Sequence, residues 1–399
     1  MFADWRENID FASMRRSRLA RVRAQMADRD LQALLVFRPE NTRYIASLRP
    51  LWMPTWLFLN AAIVTTNDDE PIVWVMSDDY PHRAEVMTFL AADHVRPFPG
   101  SIEAGDDARP TVRALVEGLR DLGFTDGRLG VDLIVLNALQ QLQELLPGVE
   151  IVDGEWCVRA ARVVKSPEEV ALMRAGCQAV DAAFEVVFDT VRPGVRETDV
   201  LAEAYRELFR LGAEVPQSAG IVAAGDHSSP MQRFATERIM QNGDLVWVDV
   251  GGCFNGMFCE AARAIAVGQP SARQIEIHQA AFETQQALFQ AIGPGVTATD
   301  LQEVARRQLD PTGLTGYLQT GPLLHGIGMG AAEPPWIPGP GHSFDLTLEA
   351  GMTLSSVPTL QVPGVPRGGG VRLEDQVAVT EAGVEVLTRV RYDDRLLAS

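Results

Sequence analysis

Short hydrophobic runs alternate with amphipathic stretches along the N-terminal part of the chain. Runs such as 31–37 and 71–76 have the length and composition of buried strands, whereas 12–30 is an arginine-rich segment with helical spacing of its apolar residues. The pattern predicts strands at 31–37, 61–66, 71–76, 129–136 and 149–153, and helices at 12–30, 81–92, 110–122 and 137–146. This alternation indicates a small α/β domain.

A second domain is predicted to begin near residue 161. The chain has 399 residues, which is more than one hydrophobic core usually organises, so we expect two domains, 1–160 and 161–399. Ser166 can cap a helix, Pro167 fits the first turn, and the acidic residues that follow favour the positive end of the helix. A long helix is therefore predicted from this point to about Val191.

The second domain contains an internal repeat. The sequence Pro-Gly-Val-x-x-Thr-Asp at 193–199 recurs 101 residues later at 294–300. In each copy one helix is expected to end at Pro-Gly, and Thr-Asp is expected to cap the next helix. A weaker similarity relates 243–249 to 351–357. Two related halves would place Asp249 and Val357 at equivalent positions, with a site between the halves.

The overall composition excludes several classes of protein. The formal net charge is −18, which argues against binding to nucleic acid and offers no basic surface to an anionic membrane. No signal peptide or membrane span is expected, and none of the four cysteines forms a Cys-x-x-Cys pair. These features predict a cytoplasmic protein with reduced thiols.

Four segments of the second domain each contain a side chain that can bind a metal ion. Asp249 ends an apolar run, and Glu260 follows it after a hairpin signal at Asn255-Gly256. His325 stands before a Gly-Ile-Gly sequence, and Glu374 stands in Arg-Leu-Glu-Asp. Hard divalent cations prefer carboxylates, and an imidazole extends the choice to manganese, iron or zinc.

The four segments together resemble the motifs of the pita-bread family, which includes methionine aminopeptidase, aminopeptidase P, prolidase and creatinase. The resemblance covers roughly residues 160–395, and more loosely the N-terminal domain. It implies an α/β (α+β) protein, with a creatinase-like N-terminal domain and a C-terminal pita-bread domain that has a pseudo-two-fold repeat. Family peptidases hold two metals with Asp, Asp, His, Glu and Glu, so Asp249, Glu260, His325 and Glu374 take four of these positions.

Three positions depart from the family pattern. Glu260 replaces the second Asp, Val357 replaces the first Glu, and Ala332 replaces a second His that precedes Glu333. Because valine cannot bind a metal, we expect no metal, or a single divalent ion such as manganese, zinc or iron. Glu260 is one methylene longer than Asp, so it could instead carry a proton.

Several further residues are candidates for catalysis or for substrate binding. By resemblance, His227 lies in a loop whose histidine shuttles protons; if the loop is shifted, Met231 or Gln232 takes that place instead. Glu333 and Arg372 are expected to bind substrate. In the N-terminal domain, Trp52 and Trp56 could enclose a cationic or apolar group, or pack at a domain or subunit interface.

The resemblance implies a hydrolase and leaves its reaction open. Our first hypothesis is cleavage of a C–N bond, in an amide or amidine, of a small polar or zwitterionic substrate, as in creatinase and ectoine hydrolase. His325 or His227 would then carry the proton, while Glu260 or Glu374 would activate water or attack directly. The alternatives are a one-metal Xaa-Pro peptidase, a lyase of the dimethylsulfoniopropionate type, and a binding protein without catalysis. A homodimer is expected.

Overall fold

The structure, a computed structural model, describes residues 8–49, 60–66, 68–100, 107–217, 220–232, 234–319, 321–339 and 346–397. The chain divides into two compact units, one formed by residues 10–162 and the other by the residues from 163 onward. Among the described residues, no helix is long and apolar enough to cross a membrane.

The N-terminal unit is built on a mixed sheet with the strand order β4-β3-β2-β1-β5-β6. Its strands are β1 (Ala33–Val36), β2 (Ala61–Thr65), β3 (Ile72–Met76), β4 (Val95–Phe98), β5 (Gly127–Val131) and β6 (Val149–Asp153). Its helices are α1 (Phe11–Asp28), α2 (Pro39–Ala46), α3 (Tyr80–Val86), α4 (Arg109–Asp121), α5 (Leu136–Leu145) and α6 (Glu155–Ala161). The strands β1, β5 and β6 run parallel, and the core of the unit lies between this sheet and the helices.

The predicted α/β character of this unit is confirmed, but two predicted elements are too long. The strand predicted at 129–136 ends at Val131, because the Asp132 carboxylate turns back to accept hydrogen bonds from Phe37 N at 2.8 Å and Arg38 N at 3.1 Å. The helix predicted at 81–92 ends at Val86, because the backbone of the next residue leaves the helical region. The sequence pattern missed β4, α2 and α6, which are short.

In its described residues, the C-terminal unit contains two larger antiparallel sheets and a two-stranded one. The first has the order β10-β9-β7 with β8 also paired to β9, the second has the order β12-β11-β13-β16-β17, and β14 pairs with β15. The strands are β7 (Val215–Pro216), β8 (Ile221–Ala224), β9 (Leu245–Phe254), β10 (Met257–Ala266), β11 (Pro322–Gly326), β12 (Glu333–Pro338), β13 (Thr353–Ser356), β14 (Thr359–Gln361), β15 (Gly370–Arg372), β16 (Asp375–Thr380) and β17 (Gly383–Val386). The helices are α7 (Pro167–Thr190), α8 (Glu197–Arg210), α9 (Ala272–Ala291) and α10 (Ala298–Leu309).

Helix α7 begins as the sequence predicted. The Ser166 hydroxyl accepts a hydrogen bond from Glu169 N at 3.3 Å, and the Glu169 carboxylate accepts one from Ser166 N at 2.9 Å. This reciprocal cap satisfies two backbone donors that the first turn of a helix leaves free. The helix then packs against β9 and β10, the hairpin that contributes to the site.

The internal repeat is visible in the backbone hydrogen bonds at the starts of α8 and α10. Gly194 N donates to Met240 O at 2.9 Å in the first half, as Gly295 N donates to Leu348 O at 2.9 Å in the second. One detail of the prediction is wrong. The helices are capped two residues before the Thr of each Thr-Asp pair, at Arg196 and Thr297, because the Asp of each pair reaches back to the backbone nitrogen of those residues.

Candidate active site

The hairpin of β9 and β10 brings two carboxylates to one face of the first sheet. Its two-residue turn at Asn255 and Gly256 has positive φ at both positions, as a type I′ turn requires. Asp249 lies opposite Ala262, so Glu260, two residues along β10, points to the same face. The predicted hairpin is therefore confirmed, and it explains how carboxylates eleven residues apart can meet.

The second sheet supplies a histidine and a serine. His325 on β11 lies opposite Ser355 on β13, and both residues are buried. The Ser355 hydroxyl donates a hydrogen bond of 2.9 Å to Glu260 Oε1, which joins the two sheets at the site. Sequence reasoning missed Ser355, because two consecutive serines in an apolar strand give no signal about which of them faces a functional group.

Glu260, His325 and Glu374 converge into a buried cluster. His325 Nε2 lies 3.6 Å from Glu260 Oε1 and 3.4 Å from Glu374 Oε1, and one ligand atom from each residue lies within 4.8 Å of the others. Glu260 Oε2 and Glu374 Oε1 are buried and accept no hydrogen bond. Buried carboxylate oxygens without donors are costly, so this cluster has capacity for a proton, a substrate group or a metal ion.

The tautomer of His325 follows from its backbone contact. Nδ1 lies 3.0 Å from the carbonyl oxygen of Gly326, and a carbonyl only accepts hydrogen bonds, so Nδ1 is the protonated nitrogen. In the neutral ring, Nε2 is then a free acceptor that faces the two glutamates. This arrangement suits either a metal ligand or a proton acceptor.

A guanidinium group joins Asp249 to the cluster. Arg372 Nε lies 3.0 Å from Asp249 Oδ2, and Arg372 Nη2 lies 2.8 Å from Glu374 Oε2. The structure thus connects Asp249 to the site through Arg372. The ligand atoms that converge belong to Glu260, His325 and Glu374. Arg372 provides a permanent positive charge beside two buried carboxylates.

The two glutamates are in opposite electrostatic environments. Burial, together with the charges of Glu374 and Asp249, raises the pKa of Glu260 well above its usual range. Burial alone would also raise the pKa of Glu374, but the Arg372 guanidinium lowers it. One carboxylate therefore takes the proton while its neighbour stays ionised, a division that acid–base catalysis can use.

Val357, which replaces a glutamate of the family motif, lies beside Glu374 in the second sheet. The register of β13 and β16 pairs Ser356 with Asp375, so the next step places Val357 level with Glu374. Val357 is 2% exposed and contributes only methyl groups. Arg372 already binds both Asp249 and Glu374. These residues do not fit a dinuclear centre.

A single ion does fit the remaining donors. Two ligand atoms at about 2.1 Å from one ion are roughly 3.4 Å apart at a tetrahedral angle. The two distances from His325 Nε2 to the glutamates, 3.4 and 3.6 Å, are close to that value. Glu260, His325 and Glu374 could therefore hold one divalent ion.

The structure places His227 outside this cluster. It lies in a short 3₁₀ helix, Gly225–His227, after β8, and its Nδ1 is 3.0 Å from the buried carboxylate of Glu197. Met231 lies nearby in the same loop, where its backbone nitrogen donates to Gln361 at 3.1 Å. Sequence reasoning missed Glu197, although one signal was present: the second copy of the repeat has Ala298 at the equivalent position.

Glu333 is engaged in a buried ion pair. Its Oε1 lies 3.0 Å from Lys165 Nζ, and both side chains are 2% exposed. The Gly330 nitrogen also donates to Glu333 Oε2 at 3.1 Å. A role for Glu333 in substrate binding stays a prediction. Trp52 and Trp56 lie outside the described residues, so the predicted aromatic contact also stays a prediction.

The four cysteines match the expected thiol state. All are buried and free of disulfide bonds: Cys157, Cys177, Cys253 and Cys259. Burial raises the pKa of the Cys157 thiol to about 11 and that of Cys177 well above its usual value. The raised pKa keeps the thiols of Cys157 and Cys177 protonated, so neither is a nucleophile at neutral pH.

Comparison with known proteins assigns both units to families. Residues 171–381 match the model of metallopeptidase family M24, and residues 18–164 match the creatinase/prolidase N-terminal domain. The chain therefore belongs to metallopeptidase family M24. It is a hydrolase of that family, with a creatinase-like N-terminal domain and a C-terminal pita-bread domain, as the sequence predicted.

Individual relatives agree with this assignment. The chain is 26% identical to a Xaa-Pro dipeptidase of Pyrococcus furiosus, over 95% of this chain and 99% of the relative. It is 28% identical to the dimethylsulfoniopropionate lyase DddP of Roseovarius nubinhibens, over 97% of this chain and 88% of that protein. The structure of a Xaa-Pro dipeptidase from Bacillus anthracis shares the fold, with a TM-score of 0.80 at 23% identity, and the match covers 94% of this chain and 98% of that one.

Proposed function

We propose that the protein hydrolyses a C–N bond, in an amide or amidine, of a small polar or zwitterionic substrate, at a site that binds at most one metal ion. The observation that supports this most strongly is the position of Val357 level with Glu374, together with the binding of Arg372 to both Asp249 and Glu374. An apolar residue and a fixed cation take the place of a second ion and its ligands. A small substrate also fits the loss of a histidine at Ala332.

The residues of the cluster have separable tasks in this proposal. Glu260, protonated and held by Ser355, donates a proton to the leaving nitrogen. Glu374, kept ionised by Arg372, accepts a proton from the attacking water. His325 presents its free Nε2 between the two and can pass a proton from one to the other. When an ion is bound by the same three residues, it supplies Lewis-acid activation of the scissile bond.

A second candidate is a Xaa-Pro dipeptidase with a single metal. It is supported by the relative from P. furiosus, which matches nearly the full length of both chains. The three donors that converge at the site could hold the one ion that this activity would need. The two proposals differ in substrate: the dipeptidase predicts manganese-stimulated release of proline from dipeptides.

A third candidate is carbon–sulfur bond cleavage. It is supported by the match to the lyase DddP over 97% of this chain. A lyase needs a base that removes a carbon-bound proton, and Glu374 or His325 could serve. The fourth possibility, binding without catalysis, is disfavoured by the opposite environments of Glu260 and Glu374, because binding alone does not need one carboxyl group with a raised pKa beside another with a lowered pKa.

One panel of substrates separates these candidates. The purified protein is incubated with Xaa-Pro dipeptides, with small amides and cyclic amidines that bear a positive charge, and with dimethylsulfoniopropionate, each with and without added manganese. Our proposal predicts hydrolysis of the second group alone, measured as ammonia or amine release from the amides and as ring opening of the cyclic amidines. Proline release would support the dipeptidase, and dimethyl sulfide would support the lyase. A homodimer in the cytoplasm completes the proposal, and light scattering would test the dimer.

A further inference from the structure

Glu197 is a fully buried carboxylate whose two oxygens face four donors. Oε1 accepts from Ala224 N at 2.8 Å and lies 3.0 Å from His227 Nδ1. Oε2 accepts from Thr236 N at 2.9 Å and from Thr236 Oγ1 at 2.6 Å. The side chain is 0% exposed. A charged group is buried so completely only where its partners offset the loss of hydration.

The internal repeat shows that the start of α8 does not need this carboxylate. Glu197 N donates to Arg238 O at 3.1 Å, and the equivalent Ala298 N in the second half donates to Leu346 O at 2.9 Å. Both helices therefore begin in the same way against a neighbouring segment. Ala298 does so without a side-chain acceptor, so the carboxylate of Glu197 serves the loop that it contacts.

His227 is oriented by this carboxylate. A carboxylate only accepts hydrogen bonds, so the short contact at Nδ1 places the ring proton on that nitrogen. Nε2 is then free of the ring proton, and the side chain is 29% exposed. The same pairing of a buried acid with a histidine orients the general base in many hydrolases.

The loop of His227 borders the strands of the site. Ser228 accepts a hydrogen bond from Gly370 N at 3.2 Å, at the start of β15, and β15 ends at Arg372. The packing is close, since a Cβ at Gly370 would lie 1.8 Å from the carbonyl oxygen of Ser228. On the other side, β8 leads into the loop and pairs with β9, where Ile221 lies opposite Asp249. His227 thus extends from a loop that is held on two strands of the site.

We propose that Glu197 is a positioning residue, which fixes His227 with its Nε2 free to carry a proton for the reaction. This inference rests on the proposed function for its chemistry and on the contact of Glu197 with His227 for its geometry. Glu197 touches no reacting atom and acts through the histidine. Glu197 and His227, which lie outside the metal-binding motifs in the sequence, would then form part of the proton path.

The pairing can be tested without any substrate. In ¹⁵N spectra of the full-length protein at pH 8, with the His227 signals assigned by their loss in His227→Gln, we expect the Nδ1-protonated form in the wild type. Glu197→Gln should show a mixture of the two neutral tautomers of His227. An amide can donate as well as accept a hydrogen bond, so it does not require the proton on Nδ1. Thr236→Val is the matched control, since it removes another bond to the same carboxylate and should keep the wild-type form.

Chemical modification gives a second readout if Glu197→Gln folds poorly. Diethyl pyrocarbonate transfers its ethoxycarbonyl group to an imidazole nitrogen that has a free electron pair, and mass spectrometry of the peptide measures the rate at His227. We expect Glu197→Asp, which shortens the acid by one methylene, to react several-fold more slowly than the wild type, while Thr236→Val reacts at the wild-type rate. Equal rates in all three proteins would overturn the proposed positioning.

The role in the reaction is tested by a double-mutant cycle on the substrate that the panel identifies. His227→Gln should lower kcat about a hundredfold, and Glu197→Gln about tenfold with little change in KM. In the double variant, Glu197→Gln should add nothing to the effect of His227→Gln. Additive losses would show that Glu197 acts independently of the histidine and would refute the inference. If no substrate is hydrolysed, the proposed function fails, whereas the spectra still decide the pairing.

Discussion

Ser355 and Glu260 are 95 residues apart in sequence and are joined by a hydrogen bond of 2.9 Å between Oγ and Oε1. The bond connects a strand of each sheet at the candidate site. Glu260 is longer than the aspartate that the family motif would place there, and a longer side chain has more rotamers to lose. The serine therefore fixes the orientation of a carboxylate that the extra methylene would otherwise leave free.

Removing this hydrogen bond should weaken the site without unfolding the protein. We expect Ser355→Ala to lower metal affinity or turnover about tenfold, because groups that orient a ligand typically contribute that much. Ser356→Ala is the matched control: Ser356 is equally buried in the same strand, and its hydroxyl has no hydrogen-bond partner. Isothermal titration with manganese and steady-state kinetics would compare the variants. Equal effects of the two substitutions would contradict this role.

The proton-carrying residues of the cluster should be required for activity. We expect His325→Ala and Glu374→Ala each to lower kcat about a hundredfold or more, as is usual for loss of an acid–base group. Circular dichroism should show that both variants fold. His82→Ala, at an exposed histidine of the N-terminal unit, should leave turnover unchanged. Turnover at the wild-type rate in either site variant would remove that residue from the mechanism.

A buried histidine away from the site should make the protein sensitive to acid. His278 is 0% exposed, and burial lowers its pKa from 6.5 to about 4. The unfolded chain therefore binds a proton between these values that the folded protein does not, so stability is lost as pH falls from 6.5 towards 4.

The size of this acid effect can be measured by urea unfolding at pH 7 and 4.5. His278→Leu should reduce the loss of unfolding free energy between the two pH values by about 2 kcal/mol, because leucine cannot take up the proton. His82→Leu, at an exposed position, should show the same loss as the wild type. An equal loss in His278→Leu would contradict a depressed pKa.

Peptide cleavage should be weak even with metal present. Ala332 and Val357 remove two groups on which the family motif for peptidases relies, so we expect little release of proline from Xaa-Pro dipeptides with added manganese. A binding role for Trp56 in the N-terminal domain predicts that Trp56→Ala raises KM for the true substrate. Efficient proline release at micromolar enzyme would overturn this expectation and favour the dipeptidase.

More of the fold than of the site could be predicted from the sequence. Periodicity gave the alternation of the N-terminal unit, and Asn255-Gly256 gave the hairpin that aligns Asp249 with Glu260. Strand ends were predicted less well, because tertiary bonds such as that of Asp132 to Phe37 decide them. The local sequence does not show which distant residues will form such hydrogen bonds.

The same limit applies to the side chains of the site. The resemblance to the family motifs identified Glu260, His325 and Glu374, which do meet. It did not show that Arg372 bridges Asp249 and Glu374, or that Glu333 is paired with Lys165, since both are contacts between distant segments. The direction of a side chain at a junction of sheets depends on the whole fold.

The number of metal ions per chain tests the central claim most directly. Inductively coupled plasma mass spectrometry would be applied to protein purified without chelator and then dialysed against manganese or zinc. We predict at most one ion per chain in the wild type. Val357→Glu should increase uptake by restoring an oxygen donor beside Glu374, whereas Val357→Leu should not. Two stoichiometric ions in the wild-type protein, bound through Asp249, Glu260, His325 and Glu374, would contradict the account.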